Sequence, residues 1–268
     1  MKDKQKTLFR QVAVLLSFVC MIIVNALANI LPFNGMSTGA ISDSYPNLFA
    51  PVGFTFAIWG VIYSLLMLYT LYQLGIFQKE SKNDQEQLLV QIAPLFIISS
   101  LVNALWLVSW HYTKLVLSMV LMLVLLLCLI SIVQAIKKHS LKKSGYLCIQ
   151  LPFSIYFGWI TVATIANAAT LLVSLGWNRF GLSESFWTVL ILIVGMAIGV
   201  ATAIRNQDIP YILVLVWAYF GILYKHLAAN EFHKAYPDII VTLCICLAIF
   251  LICIGYLISQ KKARKTIS

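Results

Sequence analysis

Eight runs of apolar residues, each about as long as a helix needs to cross a bilayer, dominate this chain of 268 residues. They lie at approximately Val12–Leu31, Phe54–Gly75, Leu88–Trp110, Leu115–Ile136, Leu147–Leu175, Phe186–Ile204, Ile209–Leu227 and Ile239–Ile258. A bilayer core of about 30 Å is spanned by roughly 20 helical residues. Backbone amides in hydrocarbon must find partners inside the segment or in a closed barrel. A barrel would show alternation in segments of about ten residues, and these runs do not alternate. The expected fold is therefore all-α: a polytopic transmembrane helix bundle with eight spans. Composition agrees, since only 10% of the residues are charged, against about 25% in soluble domains.

The net charge of +10 acquires a meaning once the basic residues are placed between the runs. Fifteen of the nineteen fall on one side: Lys2, Lys4, Lys6, Arg10, Lys79, Lys82, Lys137, Lys138, Lys142, Lys143, Arg205, Lys261, Lys262, Arg264 and Lys265. Lys114, Arg179, Lys225 and Lys234 fall on the other. Cytoplasmic loops carry the Lys and Arg excess, so both termini are expected in the cytoplasm and the chain in the plasma membrane. The basic balance sets topology; no basic stripe with interleaved aromatics marks a nucleic-acid partner. The first run has a basic start and an "ALA" at Ala26–Ala28, as a cleavable signal would. Its apolar length of about 20 residues exceeds the 7–15 of a signal core, so a retained helix is expected.

Ionisable chemistry is sparse at membrane depth. The nine acids all stand in loops, tails or at span ends, whereas ion- and proton-driven transporters keep ionisable groups inside the membrane. His111, His139, His226 and His233 lie at membrane edges or in loops and are expected as solvated or interfacial groups. The six cysteines, in or beside the runs, have no zinc-site spacing and read as small hydrophobes. No nucleophile, base or metal cluster is prepared for catalysis, so a binding role ranks ahead of an enzymatic one.

What remains at depth is neutral and aromatic. Phe56, Trp59 and Tyr63 in the second run share a helical face, as do Ser99, Asn103, Trp106 and Trp110 in the third and Pro152, Tyr156, Trp159, Ala163 and Asn167 in the fifth. An amide facing lipid without a partner costs several kcal/mol, so Asn103 and Asn167 should face protein or a cavity, and the rings beside them should face inward. The interfacial aromatic belt accounts for Trp110, Trp177 and Trp187 near run ends. For Trp59, Trp106 and Trp159, a turn or more inside, two readings stay open: core packing, or a pocket for a flat, mostly apolar ligand held by few polar anchors.

Two further features bear on organisation. The loop Pro32–Gly53 is turn-rich and longer than neighbouring helices need, which fits either a solvated connector or a binding lid. Gly195 and Gly199 form a G-x-x-x-G pair in the sixth run, which permits close backbone approach, within the chain or in a homodimer.

Three motifs fall in order along the chain. Pro51, Gly53, Phe54, Phe56, Trp59 and Tyr63 make P-x-G-[WF]-x-F-x-x-W-x-x-x-Y; Asn103–Trp110 reads "NALWLVSW"; and Pro152–Ala169 contains W-x-x-x-A-x-x-x-N at Trp159, Ala163 and Asn167. Together they resemble the translocator-protein family, also called TspO/MBR or tryptophan-rich sensory proteins, over about residues 8–175. The resemblance implies a five-helix bundle at 1–175, followed here by three additional transmembrane helices at 176–268. It also implies a pocket under the first loop for porphyrins, haem-related tetrapyrroles, sterols or synthetic drug-like ligands, so that porphyrin or haem would enter as ligand; no cofactor is otherwise assigned. By match, Trp59, Trp106, Trp159, Ala163 and Asn167 would line that pocket, with Phe54, Tyr63 and Asn103 in support. The roles it implies are tetrapyrrole sensor or transporter; the alternatives are a facilitative carrier unrelated to tetrapyrroles and a light-dependent porphyrin-degrading enzyme. The first loop, "FNGMSTGAISDSYPN", is not the family's usual Trp/Tyr-rich form.

Overall fold

The computed structural model describes residues 2–31, 33–76 and 83–267. Pro32, Lys79, Glu80 and Lys82, used above for the first loop and the charge count, lie outside the described residues. Helices and turns make up the regular structure of the described residues, with no strand among them. Eight helices are long and apolar enough to cross a membrane, at the positions of the eight runs. We label the long helices α1 (Lys2–Ile30), α2 (Ile58–Gln73), α3 (Asn83–His111), α4 (Leu115–Lys137), α5 (Leu151–Ser174), α6 (Glu184–Asn206), α7 (Ile209–Leu227) and α8 (Pro237–Ile267). Their ends extend beyond several runs because polar and basic residues complete the outer turns, where backbone groups meet water.

Helix starts and stops follow local chemistry. Ser183 caps α6 by accepting from the Phe186 amide, and Asp208 caps α7 by accepting from the Tyr211 amide, each satisfying a first-turn donor that has no helical partner. Gln207, left-handed at φ 54°, ends α6. A 3-10 turn at Gly53–Ala57 precedes α2, and a π turn at Tyr146–Gln150 precedes α5. The α-helical face expected to include Phe56 therefore begins only at Ile58.

Two compact units emerge. The first holds residues up to Ile41 with Ala57–Ile160; the second holds Ser42–Phe56 with Thr161 onward. In the first, α3 packs along α4 and α1, and α1 also meets α2. Tyr69, Phe96 and Phe153 meet edge to face at 4.9–5.9 Å in its core. In the second, α8 packs on α7 and α6. The small-residue pair of α6 is used within the chain: a Cβ on Gly195 would stand 2.7 Å from Tyr219 Oη, and one on Gly199 2.1 Å from Leu215 Cδ2. A methyl at either position would have to displace the end of one of these α7 side chains.

The first loop is ordered. It contains a short helix at Thr38–Asp43, and Asn47–Pro51 are buried. The loop also buries two histidines expected to be solvated or interfacial. His111 is 0% exposed, with Nε2 3.1 Å from Thr38 Oγ1 and Nδ1 3.1 Å from the Phe33 carbonyl. His226 is likewise buried, with Nε2 2.9 Å from the Leu48 carbonyl. Both stand at helix ends that the loop covers, so backbone groups replace water as their partners. Four of the six cysteines are buried; Cys20 and Cys244 are exposed, and all six are free thiols.

Candidate functional site

The second, third and fifth runs each deliver a tryptophan to one place in the first unit. Trp59 of α2 is the centre. Its ring stacks on Tyr63 one turn along (5.3 Å between centroids, 20° between planes) and lies 5.9 Å from Trp106 of α3. From α5, Tyr156 and Trp159 present their edges at 6.1 and 6.2 Å. Trp106 continues the row by stacking on Trp110 at 6.1 Å. Offset and edge-to-face geometries match the charge distribution of aromatic faces and rims, at about 0.5–1.5 kcal/mol per pair beyond burial. Trp106, Trp110 and Trp159 are buried, whereas Trp59 and Tyr63 keep part of their surface.

Polar side chains form a chain beside these rings. Tyr63 Oη donates to Asn25 Oδ1 at 2.5 Å, Asn25 Nδ2 donates to Asn103 Oδ1 at 3.0 Å, and Asn103 Nδ2 donates to Tyr156 Oη at 2.9 Å. Asn25 Nδ2 also reaches the Met21 carbonyl at 2.9 Å. Four helices, α1, α2, α3 and α5, are thus joined by amides and phenols that carry no charge. In hydrocarbon, such interhelical bonds contribute on the order of 0.6–2 kcal/mol each. They also fix the rotation of Trp59, because Tyr63 stacks on it and is itself held by Asn25.

Of the residues picked from sequence, Trp59, Tyr63, Asn103, Trp106 and Trp159 meet here. Ala163 and Asn167 follow Trp159 one and two turns further along α5, counted with the second unit, and Asn167 is buried. Phe54 stands in the 3-10 turn before α2, 42% exposed, edge-on to Trp217 at 5.7 Å and Tyr224 at 5.3 Å. Trp110, expected in the interfacial belt, is instead 5% exposed and donates from Nε1 to the Thr38 carbonyl at 3.1 Å. The folded loop, and not the headgroup layer, supplies its polar partner.

Asn25 is the member that sequence reasoning missed. Its signal was present: a lone amide inside an apolar run, subject to the same desolvation cost that singled out Asn103 and Asn167.

A family model described as TSPO-like protein matches residues 11–256. The match runs through α6 and α7 and into α8, well beyond the stretch that carries the three motifs. No curated protein and no solved structure matches the chain.

Proposed function

Because this chain belongs to the TSPO-like protein family, we propose that it is a membrane receptor or transporter for a flat, largely apolar ligand of the tetrapyrrole type, held at the Trp59 cluster. The observation that carries the reading is Trp59 at the hub of four rings from three helices, with an uncharged amide–phenol chain beside it. Rings stacked and tilted on one another offer faces to a planar guest, and an amide chain can exchange one of its bonds for a bond to the guest's polar substituents.

In this reading Trp59 and Tyr63, which retain exposed surface, stack on the ligand. Trp106 and Trp159 wall it in, and Asn103 orients its polar groups. Ala163 and Asn167 continue the Trp159 face of α5 and belong to the proposal on that ground; Phe54 enters it by resemblance only. Both termini are assigned to the cytoplasm of the plasma membrane from the placement of basic residues.

Titration of the purified protein with protoporphyrin, followed by quenching of indole fluorescence, tests this directly. Trp59→Ala and Trp159→Ala each weaken binding while the protein remains folded; unchanged affinity in both removes the cluster from the reading. Uptake of a fluorescent tetrapyrrole into liposomes separates a transporter from a receptor. Loss of the porphyrin absorption bands under illumination, beyond a protein-free control, would make it a catalyst.

A further inference from the structure

The second unit contains a cavity of about 400 Å³ whose lining residues belong to a different set from the ring cluster. Leu48 and Phe49 of the first loop, Leu172 and Val173 of α5, and Trp177 and Trp187 form much of its wall. The two indoles sit 5.0 Å apart at 60°, in the α5–α6 connection and the first turn of α6. The volume lies at the low end of the roughly 300–1,000 Å³ of small-molecule sites, and the wall is mainly apolar. A modest hydrophobic body fits it.

The polar groups decide what the other end of that body must be. Most are already committed. Asn47 accepts from the amides of Phe49 and Ala50 and donates to the Tyr45 carbonyl. Trp187 Nε1 donates to the Arg179 carbonyl at 2.8 Å, and Thr188 Oγ1 to the Glu184 carbonyl at 2.9 Å. Asn178 Oδ1 accepts from the Phe180 amide at 3.1 Å. Among the described residues, the side-chain donors left for an occupant are Asn178 Nδ2, Trp177 Nε1 and most of the Arg179 guanidinium, with the Glu184 carboxylate as the one anionic group beside them.

Arg179 is held in place for this. It and Phe180 are consecutive left-handed residues, at φ 57° and 53°, a conformation that costs a non-glycine residue of order 1 kcal/mol and persists only where its surroundings impose it. The Asn178 cap and the Trp187 bond to the Arg179 carbonyl supply that constraint. Its charge partner is weak: Nη1 lies 3.4 Å from Glu184 Oε2, with the two side chains 44% and 37% exposed. An exposed pair of that length contributes little and is readily exchanged for a better acceptor. Glu184 keeps favourable surroundings without Arg179, since it stands in the first turn of α6.

We propose that this cavity binds an amphiphile with an anionic head: one acyl tail lies between Leu48, Phe49, Leu172 and the two indoles, and a carboxylate or phosphate takes the Arg179 guanidinium in place of Glu184. A free fatty acid and an anionic phospholipid share this chemistry.

The test uses the full chain in nanodiscs of zwitterionic lipid, photolysed with palmitic acid carrying a diazirine on its tail, with labelled peptides mapped by mass spectrometry. Labelling is expected to concentrate in residues 169–191, to saturate, and to be competed by palmitate but not by hexadecanol. Ala169→Phe and Leu172→Trp, which fill the cavity from successive turns of α5, should abolish it, with size-exclusion profile and helical circular dichroism confirming the fold. Arg179→Gln should weaken palmitate competition roughly tenfold, the size of one charge-assisted hydrogen bond. Glu184→Gln should strengthen it severalfold, by removing the competing carboxylate. Tighter competition by nanodiscs doped with anionic phospholipid would assign the occupant to the bilayer; tighter competition by free palmitate would assign it to a soluble pool. Labelling spread over the lipid-facing helices, unchanged by both filling variants, overturns the proposal. Equal competition by hexadecanol overturns the anionic head.

Discussion

In the first unit a relay of buried side chains bonded to one another joins four helices; in the second, buried polar side chains bridge separate elements mainly through main-chain carbonyls. Tyr63, Asn25, Asn103 and Tyr156 form a side-chain relay. By contrast, Trp217 Nε1 donates to the Thr55 carbonyl at 3.0 Å, Tyr219 Oη to the Leu192 carbonyl at 2.8 Å, and His226 Nε2 meets the Leu48 carbonyl at 2.9 Å. The Val52 amide reaches the Gly221 carbonyl at 3.3 Å, and Lys225 Nζ pairs with Asp43 at 2.7 Å. A bond to a carbonyl fixes where the chain runs. A bond between two rotatable side chains leaves the path alone and can change partners. The second unit holds the loop Ser42–Phe56 against α7; the first joins its helices by side-chain bonds that leave the main-chain path free.

Substitutions can break or sharpen this contrast. The largest effect is expected from Asn103→Leu, which removes the buried bonds to Asn25 and Tyr156; about 2–3 kcal/mol of stability should be lost, read as a lower midpoint of thermal unfolding in detergent. Gly221→Ala should follow at about 2 kcal/mol, because its Cβ would lie 2.2 Å from Thr55 Oγ1 and 3.1 Å from Thr55 Cβ; limited proteolysis of the 42–56 loop would report its release. Trp59→Ala should lower porphyrin affinity roughly tenfold, whereas Trp217→Phe, which removes one carbonyl bond of the second unit, should leave that affinity unchanged and cost about 1 kcal/mol of stability. Equal losses of affinity in the two would erase the distinction between the units. Asp43→Asn should cost only about 0.5 kcal/mol, since Asp43 is 54% exposed. Smallest, and of opposite sign, Gly60→Ala should raise stability by up to about 0.5 kcal/mol, because nothing lies within 4 Å of the added methyl.

The spans were legible because hydropathy and helix length are both set by one physical quantity, bilayer thickness, and α2, α4 and α7 end within a few residues of their apolar runs. The convergence of Trp59, Trp106 and Trp159 was legible from helical spacing plus the cost of facing an amide to lipid. What escaped was set by the first loop. Its sequence is polar and turn-rich, so burial of Asn47–Pro51 and the carbonyls it offers to Trp110, His111 and His226 had no periodic signature. Phe56 fell off the expected α-helical face for a related reason: a 3-10 turn does not keep α-helical facing, and hydropathy does not distinguish the two. The cavity in the second unit is lined in part by left-handed Arg179, a conformation that residue-type preference does not predict.

The π turn at Tyr146–Gln150 has a consequence for how this chain tolerates change in length. A wide turn of that kind carries one surplus residue relative to the ordinary helix. Deleting it would rewind the turn, rotate what precedes it by about 100° and require Cys148 and Ile149, which are buried, to find new neighbours. Everything from Pro152 onward would keep its orientation. The mouth of α5 is thus the place where an insertion or deletion of a single codon can be absorbed without turning Tyr156 or Trp159 away from Trp59.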